Sequence, residues 1–158
     1  MAGEVYLTRD GFHRLMEELE KLKGPERRKI ARAIGEARAQ GDLSENAEYD
    51  AAKEAQAHNE ARVMELEGIL SNVRIIEDQN IPGDKVYIGA IVTVKDLKSG
   101  EEVKYQLVSP QEADIEKNKI SIFAPIGKSF VGKAEGDEIE VEVPAGKLQY
   151  KVLKIERP

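Results

Sequence analysis

The hydrophobic period of this 158-residue chain changes once, near residue 80, and that change limits what it can fold into. Upstream, apolar residues recur every three or four positions, as along one stripe of a helix; downstream they alternate, as on one face of a strand. Phe12, Leu15, Leu19 and Leu22 open the helical pattern, which resumes at Ile30, Ala33 and Ala37. A second run, Ala52, Ala55, Asn59, Arg62, Leu66, Ile69, Val73 and Ile76, steps by three and four like a heptad seam. Gln40-Gly41-Asp42-Leu43-Ser44 between them is turn chemistry, and so short a connection makes the two helices antiparallel neighbours. The spacing predicts a coiled-coil hairpin over 1–77, with arms of roughly 45 Å at about 1.5 Å per residue.

The seam is graded. Phe12, Leu15, Leu19, Leu66, Ile69 and Val73 lie near the open end, while Ala33, Ala37, Ala51, Ala52 and Ala55 lie near the turn. Alanine favours helix and allows close approach, so the distal half is expected to be thin and stiff. Gly24-Pro25 predicts a kink or restart in the first arm. The basic run Arg27, Arg28, Lys29 and Arg32 reads as a solvated helix face pairing with Glu20 or Glu60.

Residues 78–84, rich in Asp, Asn, Pro and Gly, read as a linker. Over 85–158, Ile91–Val94, Val103–Leu107, Ile139–Val143 and Leu148–Val152 alternate as half-buried strands. Lys98-Ser99-Gly100 and Ala145-Gly146-Lys147 read as hairpin turns, and Pro125–Val131 as one short helix. The fold class is α+β: a helical hairpin followed by a small antiparallel sheet that carries one helix.

Composition narrows the chemistry. There is no cysteine, which excludes thiolate zinc and a cysteine nucleophile, and the two histidines, His13 and His58, leave little scope for a histidine metal site. The amino terminus lacks an export-signal pattern and no apolar run reaches the ~20 residues of a membrane span, so a cytoplasmic location is expected. The formal charge is −6; residues through Glu77 hold 12 basic and 16 acidic groups, so the hairpin half is not basic. If the chain works near nucleic acid, something else supplies most of the affinity.

Two motifs fail on inspection. Gly127-Lys128-Ser129 resembles the end of a phosphate loop, but Ile122 stands where that loop needs glycine. No Ser/His/Asp arrangement is in reach, and His58, among alanines, reads as packing or surface. The acidic turn remains. Asp42 and Glu45 stand three apart, which fits a capping box as well as it fits a functional pair. Two carboxylates are too few to cage Mg²⁺, but they can complete a site whose other ligands belong to a partner.

The stretch Glu36-Ala37-Arg38-Ala39-Gln40-Gly41-Asp42-Leu43-Ser44-Glu45-Asn46-Ala47-Glu48-Tyr49-Asp50-Ala51-Ala52-Lys53-Glu54 closely resembles the hairpin tip of the Gre family of bacterial transcript cleavage factors. Glu112-Ala113-Asp114, Ile120-Ser121, Pro125-Ile126-Gly127-Lys128, Gly136-Asp137 and Pro144-Ala145-Gly146 extend the resemblance over nearly the whole chain. It implies an FKBP-like second domain that docks at the mouth of the RNA polymerase secondary channel, with the coiled coil passing down it. It further implies that Asp42 and Glu45 help hold a catalytic Mg²⁺ of the polymerase, which then cleaves the 3′ end of backtracked RNA and rescues arrested complexes. The polymerase is the enzyme on this view; the factor is a monomer with no cofactor of its own and no membrane partner. Position by position, Arg38 and Lys53 match RNA-facing cations, and Leu43, Ser44, Asn46 and Tyr49 support the tip. Ser121, Pro125 and Ile126 match the polymerase-docking segment. Ala124 stands where the family pattern leads one to expect serine, and the first-arm proline lies a few residues early. A channel-blocking inhibitor, a prolyl isomerase and a hairpin chaperone are the competing readings.

Overall fold

Pro25 has no amide hydrogen, so an α-helix running through it loses one rung of its ladder. In the computed structural model, which describes residues 3–41 and 46–158, the chain meets this by widening. Helix α1 (Arg9–Lys21) passes into a π-helical segment, Leu22–Glu26, and continues as α2 (Arg27–Ala39). The expected kink or restart is therefore one wide turn with right-handed helical angles on both flanks. Opposite it, Asn59 of α3 (Ala47–Leu70), only 7% exposed, donates from Nδ2 to the Leu22 carbonyl at 3.0 Å. A buried amide bonded across the hairpin fixes register, because sliding either helix leaves both groups without partners. Asn59→Leu is expected to cost about 1–3 kcal/mol, read as a lower midpoint in chemical unfolding of the helical transition.

Ion pairs run along the same seam. Arg62 forks onto Glu18 at 2.9 Å through both Nε and Nη2, and Arg27 forks onto Glu60 at 3.1 and 2.7 Å. Lys23 meets Glu67 at 3.4 Å. Hydrogen bonds that they donate to Glu18 and to Glu60 hold the Arg62 and Arg27 guanidinium groups above the usual arginine pKa. The basic run thus pairs with Glu60, as expected, through Arg27. These pairs are half exposed, so they orient the arms more than they stabilise them.

The buried positions differ from the expected seam. Along α3 they are Ala52, Asn59, Val63 and Leu66, with Ala55 exposed, and along α2 they are Ile30, Ile34 and Ala37, with Ala33 exposed. The distal half is not packed by alanine alone: Ile30 and Ile34 cluster with Ala52, and Tyr49 lies against them. The second helix also ends earlier than expected, at Leu70; Val73 is in a strand rather than on the seam, and Ile76 in a short 3₁₀ turn.

The chain divides into two bodies, Phe12–Asn72 and Glu4–Gly11 with Val73–Pro158. In the second, β1 (Val5–Leu7) pairs in parallel with β2 (Val73–Ile75). A five-stranded sheet follows: β3 (Ile91–Asp96), β4 (Glu102–Val108), β5 (Lys119–Ser121), β6 (Glu138–Val143) and β7 (Gly146–Glu156), in the order β5-β4-β3-β7-β6. All four expected strands are present. The sheet is mixed rather than wholly antiparallel, because β5 joins β4 in parallel. Helix α4 (Pro125–Phe130) starts with Pro125 in its first turn and inserts Phe130, fully buried, among Val92, Val94, Leu107, Val141 and Val152. The start of α1 is held by a buried carboxylate. Glu112 accepts from the Thr8 amide at 2.8 Å and from its hydroxyl at 2.5 Å, while Thr8 Oγ1 takes the Gly11 amide at 3.0 Å.

Candidate functional site

Helix α2 closes on Gln40, whose amide reaches the Ala37 carbonyl at 3.2 Å, and Gly41 follows at φ +111°, a backbone that favours glycine. The chain is described again from Asn46, the N-cap of α3, whose Oδ1 accepts the Tyr49 amide at 3.0 Å. Its Nδ2 donates to the Ala37 carbonyl at 2.7 Å. One side chain thereby satisfies the first turn of one arm and the last turn of the other. The capping-box alternative placed the cap at Asp42; α3 is capped by Asn46. Asp42, Leu43, Ser44 and Glu45 lie outside the described residues. Among the described residues no group of three or more acidic or histidine side chains is placed to hold a metal.

Two expected tip residues are brought together. Arg38 on α2 lies over the Tyr49 ring on α3, with Cζ 5.9 Å from the centroid. Lys53 is exposed one turn further along α3 and donates to Gln56 Oε1 at 2.8 Å. Asn46 and Tyr49 thus both join the arms beside the turn.

In the second body, Ser121 ends β5 and its Oγ accepts the Phe123 amide at 3.0 Å. Pro125 is exposed at the start of α4, whereas Ile126 packs against the sheet core. The close approach of α4 to the strand end depends on Gly127: a Cβ there would meet the Ser121 carbonyl oxygen at 2.0 Å. Sequence reasoning missed Phe123, 72% exposed, and Ile115, 90% exposed, on the same stretch of chain. Phe123 was detectable, since it follows Ile120 and Ile122, which alternate toward the core, and so falls outside their face.

The remaining motifs are structural. Gly127-Lys128-Ser129 sits inside α4, and His58 is exposed on α3. Tyr105 and Tyr150 pack against buried Phe130 at 6.1 and 5.7 Å between centroids, so these rings fill the core instead of lining a pocket. Burial, with Tyr105 nearby, pushes the Tyr150 hydroxyl pKa up.

Two family models, which between them span nearly the whole chain, both describe transcription elongation factors. Residues 5–75 match the family described as transcription elongation factor, N-terminal, and residues 81–157 match the GreA/GreB C-terminal family. A transcription elongation factor GreA of Chloroherpeton thalassium is 48% identical over 155 residues, covering 98% of both chains. A GreA of Rhizobium etli is 47% identical with the same coverage. Among solved structures, GreA factor homolog 1 of Thermus thermophilus is 34% identical, covering 97% of this chain and 99% of its own, with a TM-score of 0.44. The chain belongs to the GreA/GreB family of transcription elongation factors.

Proposed function

We propose that this elongation factor places its hairpin in the secondary channel of bacterial RNA polymerase and stimulates the polymerase to cleave backtracked RNA. The observation that carries the reading is the cap geometry: Asn46 caps α3 and bonds Ala37 across the turn, so neither task needs Asp42 or Glu45. Carboxylate oxygens are the ligands that Mg²⁺ prefers, and two of them fit a shared site better than a complete cage. Asp42 and Glu45 would supply those oxygens to an ion held mainly by the polymerase. Such an ion, when bound, would supply the Lewis acidity that activates water and stabilises the displaced oxygen. The chemistry stays with the polymerase, and this chain, acting as a monomer in the cytoplasm, brings charge and position. Arg38 and Lys53 face the RNA 3′ segment, with Leu43, Ser44, Asn46 and Tyr49 as support.

Docking falls to the segment holding Ser121, Pro125 and Ile126. Phe123 and Ile115 strengthen that reading, since large apolar side chains so exposed mark contact surfaces when they group on one segment. Phe123→Ser is expected to weaken polymerase binding about tenfold, as loss of an aromatic interface anchor does, with thermal stability unchanged. An unchanged affinity would move the docking surface elsewhere. The function as a whole is tested by adding the protein to stalled polymerase complexes carrying 3′-labelled RNA. Short labelled fragments are expected, and a chain that blocks the complexes without releasing fragments is an inhibitor instead. A prolyl isomerase is not favoured, because Phe130 and Tyr150 are buried in the core.

A further inference from the structure

Tyr49 is held from three sides. Its amide is bonded to Asn46 Oδ1 at 3.0 Å, and Asn46 is itself tied to the opposite arm through the Ala37 carbonyl at 2.7 Å. Its ring packs against Ile30, Ile34 and Ala52, the buried cluster of the distal hairpin. The ring then carries the Arg38 guanidinium at 5.9 Å. Arg38 is exposed, and among the described residues no carboxylate pairs with it. A guanidinium over an aromatic face uses its π surface, while its N–H donors, which lie in its own plane, stay available for an anion. A long cation already held against a fixed ring also loses less rotamer freedom when it binds.

We propose that Tyr49 is a positioning residue for Arg38: the ring, locked by Asn46 and the Ile30/Ile34/Ala52 cluster, presents the guanidinium to a backbone phosphate of the single-stranded RNA 3′ segment. The inference rests on the proposed function for its ligand and adds how the cation is held and by which residue. It also accounts for an aromatic residue at a half-buried position, where leucine would fill the same apolar space. Among the described residues, Lys53 is bonded to Gln56 and has no such platform.

The test uses the full-length protein with backtracked polymerase complexes and follows the half-maximal factor concentration for cleavage as KCl is varied. A lost phosphate contact lowers the slope of log affinity against log salt by about 0.7, which a loss of hairpin stability alone does not do. Arg38→Ala sets the reference change. Tyr49→Leu is expected to raise the half-maximal concentration about threefold to tenfold and to lower the slope by the same amount as Arg38→Ala. Tyr49→Phe, which keeps the ring, is expected to match the parent protein in both. Thermal unfolding checks that the Leu variant is folded, and Tyr49→Met replaces it if it is not. A slope that changes in Arg38→Ala but not in the Leu or Met variant overturns the positioning role and leaves the RNA-facing reading of Arg38 intact. A slope unchanged in Arg38→Ala overturns both.

Discussion

Asp42→Asn combined with Glu45→Gln is expected to lower factor-stimulated RNA cleavage by about 10²-fold or more, while polymerase affinity stays within about twofold. The substitutions keep side-chain size and remove two negative charges. A catalytic ion contributes several kcal/mol of charge stabilisation, and each ~1.4 kcal/mol lost slows the reaction tenfold. Losing half or more of that contribution gives the expected range. Affinity is spared because the α3 cap is Asn46 and the exposed apolar residues Ile115 and Phe123 belong to the other body. The rate of fragment release and a competition binding measurement read the two effects separately. Full cleavage by the double variant would remove the metal-assisting role; loss of binding in parallel with cleavage would move the acidic turn into the docking contact.

Gly127→Ala is expected to be the most damaging single-methyl change in the sheet domain. Its Cβ would lie 2.0 Å from the Ser121 carbonyl oxygen, 3.0 Å from the Ser121 carbonyl carbon and 3.3 Å from Ile120 Cγ2. Backbone cannot swing aside as a side chain can, so either β5 or α4 must move. A cost of about 2–3 kcal/mol is expected, the upper part of the range for overpacking, with a fall in Tm of roughly 10 °C or more for a domain this small. The segment displaced is the one carrying Ser121, Pro125 and Ile126. Polymerase binding should therefore fall even at temperatures where the variant is still folded. A scanning calorimetry trace unchanged from the parent protein would show that the strand end yields at no cost.

The architecture was legible wherever a period ran long enough to be read. Four strands of the sheet were visible in their alternation, and Gln40-Gly41 announced the turn between the arms. Three short strands, β1, β2 and β5, were not visible, because three residues cannot establish alternation. Val73 and Ile76 extended the helical count by coincidence, and that hid the helix end at Leu70. The π-helical turn explains a subtler miss in the first arm, the place of Ala33, but not that of Ala55 in α3. Numerical spacing assigned Ala33 and Ala55 to the seam, yet the buried set along α3 steps through Ala52, Asn59, Val63 and Leu66, and Ile34 takes the place of Ala33. A wide turn re-phases the helix that follows it, here α2, and spacing read from either side cannot show that.

Of the candidate site, sequence reading picked out the residues but not how they are joined. Asn46 and Tyr49 were visible as members of a motif, whereas the bonds from Asn46 to both arms and the placement of Arg38 over Tyr49 depend on two helices meeting. The cap is the instructive case. Asp42 with Glu45 three residues later satisfied a local rule, but the helix starts at Ala47 and is capped by Asn46, whose side-chain amide donates as well as accepts and so serves both arms. An aspartate there could accept from Tyr49 but could not donate to Ala37.

The central claim is that two carboxylates of this chain complete a Mg²⁺ site in the polymerase, and Mg²⁺ titration of cleavage tests it most directly. With the parent protein, the half-saturating Mg²⁺ concentration for RNA cleavage in stalled complexes is expected to fall by about 10-fold or more relative to polymerase alone. With the Asp42→Asn, Glu45→Gln variant at saturating concentration, it should return to the value of polymerase alone. A parent protein that speeds cleavage without moving the Mg²⁺ midpoint, or a variant that moves it as far as the parent does, would contradict the account.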